Sequence, residues 1–348
     1  MNRQPARSRA TAAASPRVAV AGMGSWGTAL ALLLHQRGCR VRAWEYDPGV
    51  VERYARGERE AVFLPGIFLP PAIHVRQELD WLLEDADWLV LAVPSHTQRA
   101  LLGRLAPLLP PGLPLVNVAK GIEQRSLLRL SQVVAEVLPG HDPAAYVCLS
   151  GPSHAEEVSR DVPTAVVAAG GSAGLLEEVQ RLFSSSTFRV YRNGDLTGVE
   201  LGGALKNVIA LAAGMCDGLG FGDNTKAALM TRGMVEMARL GTALGGRPET
   251  FSGLAGIGDL IVTCASRHSR NRAVGEQIGR GRSLEQVLAG MEMVAEGVRT
   301  TEGAHELAGR LGVAMPITAA VHAILFEGRD PREEVGRLMT RDLKAEEA

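Results

Sequence analysis

The sequence predicts an α/β protein, with a doubly wound parallel sheet in its N-terminal half and an all-helical C-terminal domain. Three observations predict this. Short β-branched or continuously apolar runs alternate with helix-like segments up to about residue 195. A Gly-x-Gly-x-x-Gly run joins the first strand to the first helix. Beyond it the chain turns to long Ala-, Leu-, Met- and Gly-rich segments at helical spacing, with few strand signals. A chain of 348 residues has room for two domains, at about 100–200 residues each. Hydrophobic residues make up 46%, enough to fill a core in both.

In chain order, residues 1–15 are small, polar and basic and predict a disordered tail. They lack the apolar stretch of a secretory signal; their Arg-rich, acid-poor character leaves an organelle transit peptide as the alternative. Residues 17–21 form a β-branched strand after Pro16, and residues 26–36 an Ala/Leu-rich helix that Gly38 stops. Residues 40–44 are the second strand. Residues 88–93 (Trp-Leu-Val-Leu-Ala-Val) are continuously apolar, as a strand buried on both faces requires. Residues 115–118 and 146–149 read the same way. Strands separated by helices imply a parallel sheet covered on both sides. Residues 201–213, 226–244 and 283–288 are the helices expected of the second part. The predicted division is a tail (1–15), a sheet domain (16–192), a helical domain (193–335) and a C-terminal tail (336–348).

A formal net charge of −1 provides no global field for nucleic acid or an anionic membrane, so charge that binds an anion must be local. No apolar run approaches the roughly 20 residues of a membrane span. Cys39, Cys148, Cys216 and Cys264 are scattered without a Cys-x-x-Cys pair, which argues against zinc or a redox dithiol and fits a reducing cytoplasm. His35, His74, His141, His305 and His322 show no ligand spacing, and His96 and His154 need no chemical role. No constellation suggests a metal.

The glycine run is Gly22-Met23-Gly24-Ser25-Trp26-Gly27. It follows a strand and opens a helix, the context that makes it a Rossmann-type dinucleotide signature rather than a plain turn. Gly22 permits the tight turn, Gly24 lets backbone approach a pyrophosphate, and Gly27 allows helix–strand packing. The helix N-terminus then presents N–H groups to phosphate. Glu45 or Asp47, about 20 residues on, is placed to bind the adenosine ribose and repel a 2′-phosphate. Both also read as solvent-facing acids, and Arg42 lies close by. The cofactor is therefore NAD(H) or NADP(H), with a lean to NAD(H).

Further polar residues stand where apolar ones are easier to bury. Lys120 follows a strand, at the sheet edge where open α/β folds bind ligands; an ordinary surface lysine is the other reading. Lys206 lies on a helix whose same face carries Gly202, Gly203, Ala210 and Ala213. Two helical glycines cost about 1 kcal/mol each, so that face serves a ligand or a close neighbour. Asp259 is a single acid amid apolar and glycine residues, either a buried partner or a helix cap. Residues 267–272 form a basic patch suited to phosphate, or a solvated loop.

Taken together these segments resemble one family closely. Ser150-Gly-Pro-Ser-His-Ala-Glu-Glu-Val158 is similar to the Ser-Gly-Pro-Ser-x-Ala-x-Glu segment of bacterial-type NAD(P)-dependent glycerol-3-phosphate dehydrogenases. Segments 63–66, 92–95, 120–123, 198–207, 224–229, 256–260, 269–271 and 294–297 agree, in order, from about residue 17 to 328. The resemblance implies reversible reduction of dihydroxyacetone phosphate to sn-glycerol 3-phosphate between two domains, for glycerophospholipid synthesis. It implies Lys206 as acid/base. It assigns Lys120, Gly151, Ser153, Lys206, Asp259, Ser269, Arg270 and Asn271 to the phosphorylated small-molecule substrate. It assigns Ser25, Trp26, Tyr46, Lys120, Ala155, Arg270, Val294 and Glu296 to the cofactor. The family often has a basic residue where this chain has Tyr46. A homodimer is compatible with the sequence. The rival readings are another two-domain dehydrogenase and a non-catalytic dinucleotide sensor on the same fold.

Overall fold

The computed structural model describes residues 15–290, 295–343 and 345–346. Residues 1–14 of the expected N-terminal tail, and Val294, lie outside them. Among the described residues the strands are β1 (Arg17–Ala21), β2 (Arg40–Trp44), β3 (His74–Arg76), β4 (Trp88–Leu91), β5 (Leu115–Asn117), β6 (Tyr146–Ser150), β7 (Thr164–Gly170) and β8 (Phe188–Asn193). Helices α1 (Ser25–Gln36), α2 (Pro48–Ala55), α3 (Leu79–Leu83), α4 (Ser95–Leu105), α5 (Leu130–Val137), α6 (Ala155–Val158) and α7 (Ala173–Phe183) are interspersed with them. Then follow α8 (Leu196–Gly218), α9 (Asp223–Ala243), α10 (Pro248–Phe251), α11 (Asp259–Ala265), α12 (Arg270–Gly279), α13 (Leu284–Leu288), α14 (Glu296–Leu311), α15 (Pro316–Phe326) and α16 (Pro331–Met339).

The sheet has the order β3-β2-β1-β4-β5-β6-β7-β8 and is parallel except between β6 and β7. Alternation along each strand feeds two separate cores. Val18, Val20, Val90, Val116 and Val147 pack into one. Ala19, Ala21, Leu89, Leu91, Leu115 and Cys148 pack into the other, on the opposite face. A strand buried on both sides has no polar face, which is why these strands read as continuous apolar runs. The order reverses between β1 and β4, the switch point beyond whose strand carboxyl ends open α/β sheets bind ligands.

Strands β3, β7 and β8 carried weaker sequence signals. β3 is three residues long. β7 returns antiparallel beside β6, a pairing that needs no crossover helix and so breaks the strand–helix rhythm.

A third core surrounds α8, which is longer than the expected 201–213 because Asp195 caps it, accepting from the Gly198 N–H at 2.9 Å. The expectation of no span-length apolar segment needs correction. α8 has 23 residues and contains an 18-residue window of mean hydropathy 1.3, but that window is wholly buried inside the protein. Such a helix is apolar all round because neighbours enclose it. Residues 336–339, expected in the tail, form the last turn of α16, whose start Asp330 caps.

Glycines bring α12 against α8. A Cβ on Gly214 would lie 2.0 Å from the Arg272 carbonyl oxygen, and one on Gly275 2.0 Å from that of Leu211. Gly214→Ala is therefore expected to destabilise the fold by about 1–3 kcal/mol through overpacking, seen as a lower urea midpoint. An unchanged midpoint would show that the two helices separate freely.

Candidate active site

The adjacent parallel strands β5 and β6 present their carboxyl ends side by side. β5 leads to Lys120, whose turn is held by Asn117 Nδ2 donating to the Ala119 carbonyl at 3.1 Å. β6 leads to Gly151, where φ is +133° and a Cβ would lie 3.1 Å from Val166 Cα of β7. Only glycine adopts that turn without strain, and it aims the Gly151 carbonyl at Lys120 Nζ, 3.1 Å away. Ser153 Oγ donates to the same carbonyl at 3.0 Å.

Opposite them, α8 and α11 contribute Lys206 and Asp259. Asp259 follows a π-helical turn at Leu254–Gly258 and begins α11. It does not cap the helix. Its Oδ1 accepts from Lys206 Nζ at 2.6 Å and its Oδ2 from Lys120 Nζ at 2.6 Å. Thr263, one turn along α11, accepts a second hydrogen bond from Lys206 Nζ at 2.7 Å and donates its own proton to the Asp259 carbonyl. One buried carboxylate thus joins two ammonium groups drawn from two halves of the chain. The side chains of Asp259 and Lys206 are 2% and 8% exposed, which makes this pairing obligatory.

The electrostatics follow from burial. Desolvation pulls Lys206 down to about 8, against the opposing pull of Asp259, and Lys120 adds to the lowering. Burial by itself would raise Asp259, but Lys120 and Lys206 hold it below the ordinary carboxylate range. An ammonium has three donors. Lys206 Nζ uses two, on Asp259 and Thr263. The remaining one is available to a substrate oxygen.

The small-residue face of α8 serves both uses foreseen for it. A Cβ on Gly202 would lie 2.6 Å from the Ala255 carbonyl oxygen, so this glycine admits a close neighbour. One on Gly203 would lie 2.7 Å from Ser150 Oγ and 3.5 Å from Lys120, so this one makes room for the site itself.

The basic patch at 267–272 divides. Arg267 and Arg270 are exposed, whereas Arg272 turns back to Asp217 at 2.6 Å. Ser269 caps α12, accepting from the Arg272 N–H at 3.2 Å. Asn271 is buried: its Nδ2 donates to Asn207 Oδ1 and its Oδ1 accepts from Gly297 N, both at 2.9 Å. Next to it, Glu296 accepts from the Ser95 N–H at 3.1 Å. Burial lifts Glu296 above the ordinary carboxylate range, and Arg270 is among the charges opposing that.

At the switch point the glycine turn is closed behind and open in front. A Cβ on Gly22 would lie 2.8 Å from the Ala92 carbonyl oxygen, whereas one on Gly24 meets nothing within 4 Å. No side chain caps α1. Close packing behind and open space ahead of a helix N-terminus fit a bound pyrophosphate. Trp26 turns its ring toward Phe188, with centroids 6.5 Å apart, and Ser25 Oγ donates to the Phe63 carbonyl at 2.6 Å. Ala155 begins α6 and is buried, and Tyr46 is 72% exposed beyond β2.

Sequence reading passed over Thr263, Asn207 and Ser95 as site residues. Thr263 was legible as the i+4 neighbour of Asp259 on one helix face. Ser95 acts through its backbone N–H, which no side-chain pattern announces.

Fold and site together define a nicotinamide-dinucleotide oxidoreductase with a buried lysine–aspartate pair beside the carboxyl edge of its sheet. Comparison with known proteins narrows the class. The model of the NAD-dependent glycerol-3-phosphate dehydrogenase N-terminus matches residues 17–174, and that of the C-terminus residues 195–336. A Geobacter sulfurreducens protein named glycerol-3-phosphate dehydrogenase, NAD(P)+, is 53% identical over 332 residues, 95% of this chain and 99% of its own. One of the same name from Pelotomaculum thermopropionicum is 53% identical, over 94% of each chain. The crystal structure of Coxiella burnetii glycerol-3-phosphate dehydrogenase superposes with a TM-score of 0.90 at 37% identity, over 94% of this chain and 99% of that one. This chain belongs to the NAD-dependent glycerol-3-phosphate dehydrogenase family.

Proposed function

We propose that the protein reduces dihydroxyacetone phosphate to sn-glycerol 3-phosphate, reversibly, with NADH or NADPH. The observation that carries this reading is the remaining donor of Lys206 beside Asp259, at the carboxyl edge of a dinucleotide-binding sheet. When bound, the reduced nicotinamide supplies a hydride to the ketone carbon. Lys206 hydrogen-bonds the ketone oxygen and transfers a proton from Nζ as negative charge grows there. Asp259 and Thr263 fix the direction of that ammonium. Lys120, tied to the same carboxylate, lines the substrate side with Gly151 and Ser153. Arg270 and Asn271 hold the phosphate away from the reacting carbon, which orients the ketone. Gly22, Gly24, Gly27, Ser25, Trp26 and Ala155 shape the dinucleotide cleft, and Glu296 closes it.

The division into a dinucleotide-binding part (16–192) and a helical substrate-binding part (193–335) belongs to the same proposal. Its support is the end of β8 at Asn193 and the start of α8 at Leu196. A cytoplasmic role in supplying glycerophospholipid synthesis, as monomer or homodimer, is consistent with four free, buried cysteines.

Initial rates test the reading. Dihydroxyacetone phosphate should drive oxidation of reduced nicotinamide, and unphosphorylated dihydroxyacetone should be a far poorer substrate. Arg270→Ala should shrink that difference, mainly through KM for the phosphorylated ketone. Folded protein that oxidises neither dinucleotide would overturn the assignment, and an equal loss with both ketones would remove Arg270 from phosphate binding.

A further inference from the structure

We propose that Glu45 makes this enzyme selective for NADH over NADPH; the inference rests on the dehydrogenase reading and adds the discriminating residue. Two acids follow β2, and the structure gives them different work. Asp47 is exposed and caps α2, accepting from the Gly49 N–H at 2.8 Å. Glu45 is only 9% exposed, and its carboxylate turns toward the glycine turn. Oε2 accepts from the Met23 N–H at 2.9 Å; Oε1 accepts from the N–H groups of Tyr46 at 2.8 Å and Asp47 at 3.1 Å. Met23 lies between the first two glycines of the turn. The carboxylate is thus fixed against the segment that receives the dinucleotide.

A carboxylate offers about four acceptor positions, and three are filled by backbone. The fourth suits a ribose hydroxyl, whereas a 2′-phosphate would bring a dianion against a fixed negative charge. Neither residue that follows Glu45 supplies a cation to relieve that repulsion. Position 46 is tyrosine and position 47 aspartate. Arg42, the basic residue nearest in sequence, is committed elsewhere. Its Nη1 donates to the Trp81 and Glu84 carbonyls at 2.7 and 2.9 Å, and it pairs with the Glu84 carboxylate at 2.9 Å.

Direct titration by the fluorescence of NADH and of NADPH, with no ketone present, reads the preference as dissociation constants. NADH should bind tighter by on the order of a hundredfold. Glu45→Gln keeps the size and an acceptor for the turn while removing the charge. It should narrow the gap at least about tenfold, chiefly by strengthening NADPH. Equal wild-type affinities would overturn the proposal while leaving the dehydrogenase reading intact, as would an undiminished gap in folded Glu45→Gln. Binding of neither dinucleotide would overturn both.

Discussion

Lys206→Met will lower the turnover number for ketone reduction by about 10²–10⁴-fold, the range of a lost general acid, and leave dinucleotide affinity unchanged. The side chain keeps its packing but loses the donor aimed at the substrate oxygen. The pH profile adds a readout that a merely structural lysine would not produce. Burial and Lys120 bring Lys206 down to about 8, so kcat/KM for reduction should fall as pH rises through that region. Oxidation needs the neutral amine, and its rate should rise over the same interval. Lys206→Met should lose both limbs. Unchanged turnover in the variant would remove Lys206 from the reaction.

Asp259→Ala will destabilise the protein by about 3–5 kcal/mol, because it strands charge that is buried and paired. Two ammonium groups, from Lys120 and Lys206, lose their shared counterion at once. Since the folded carboxyl lies below the ordinary range, its contribution is complete above about pH 4 and fades as acid protonates it. Wild type and variant should therefore converge in stability on acidification. Urea midpoints at neutral and acidic pH check both statements; equal midpoints at neutral pH would mean the cluster is not electrostatically coupled. Asp259→Asn keeps the volume and isolates the charge. It should also depress turnover, because Lys206 then lacks its aim.

Much of the architecture was legible because the relevant signals are local. Continuous apolar runs at residues 88–93 and 146–149 announce strands covered on both faces. The glycine run between a strand and a helix announces the dinucleotide turn. Lys206 among Gly202 and Gly203 announced an occupied face, though not that one glycine admits the Ala255 backbone while the other faces Ser150 and Lys120. The choice between Glu45 and Asp47 was not local either. Both have the right chemistry and spacing, and only the path of the backbone shows that Asp47 ends in a helix cap.

By itself the sequence determined the α/β sheet followed by helices and the position of the glycine turn, since periodicity and spacing within one segment suffice for these; the roles of the polar side chains came from the family resemblance. The tertiary structure decided how they combine. Lys120 and Lys206 meet on Asp259 across separations of 139 and 53 residues. Contacts at such separations depend on how the sheet and α8 pack. The resulting burial, not the residue types, is what brings Lys206 down to a pKa suited to proton transfer.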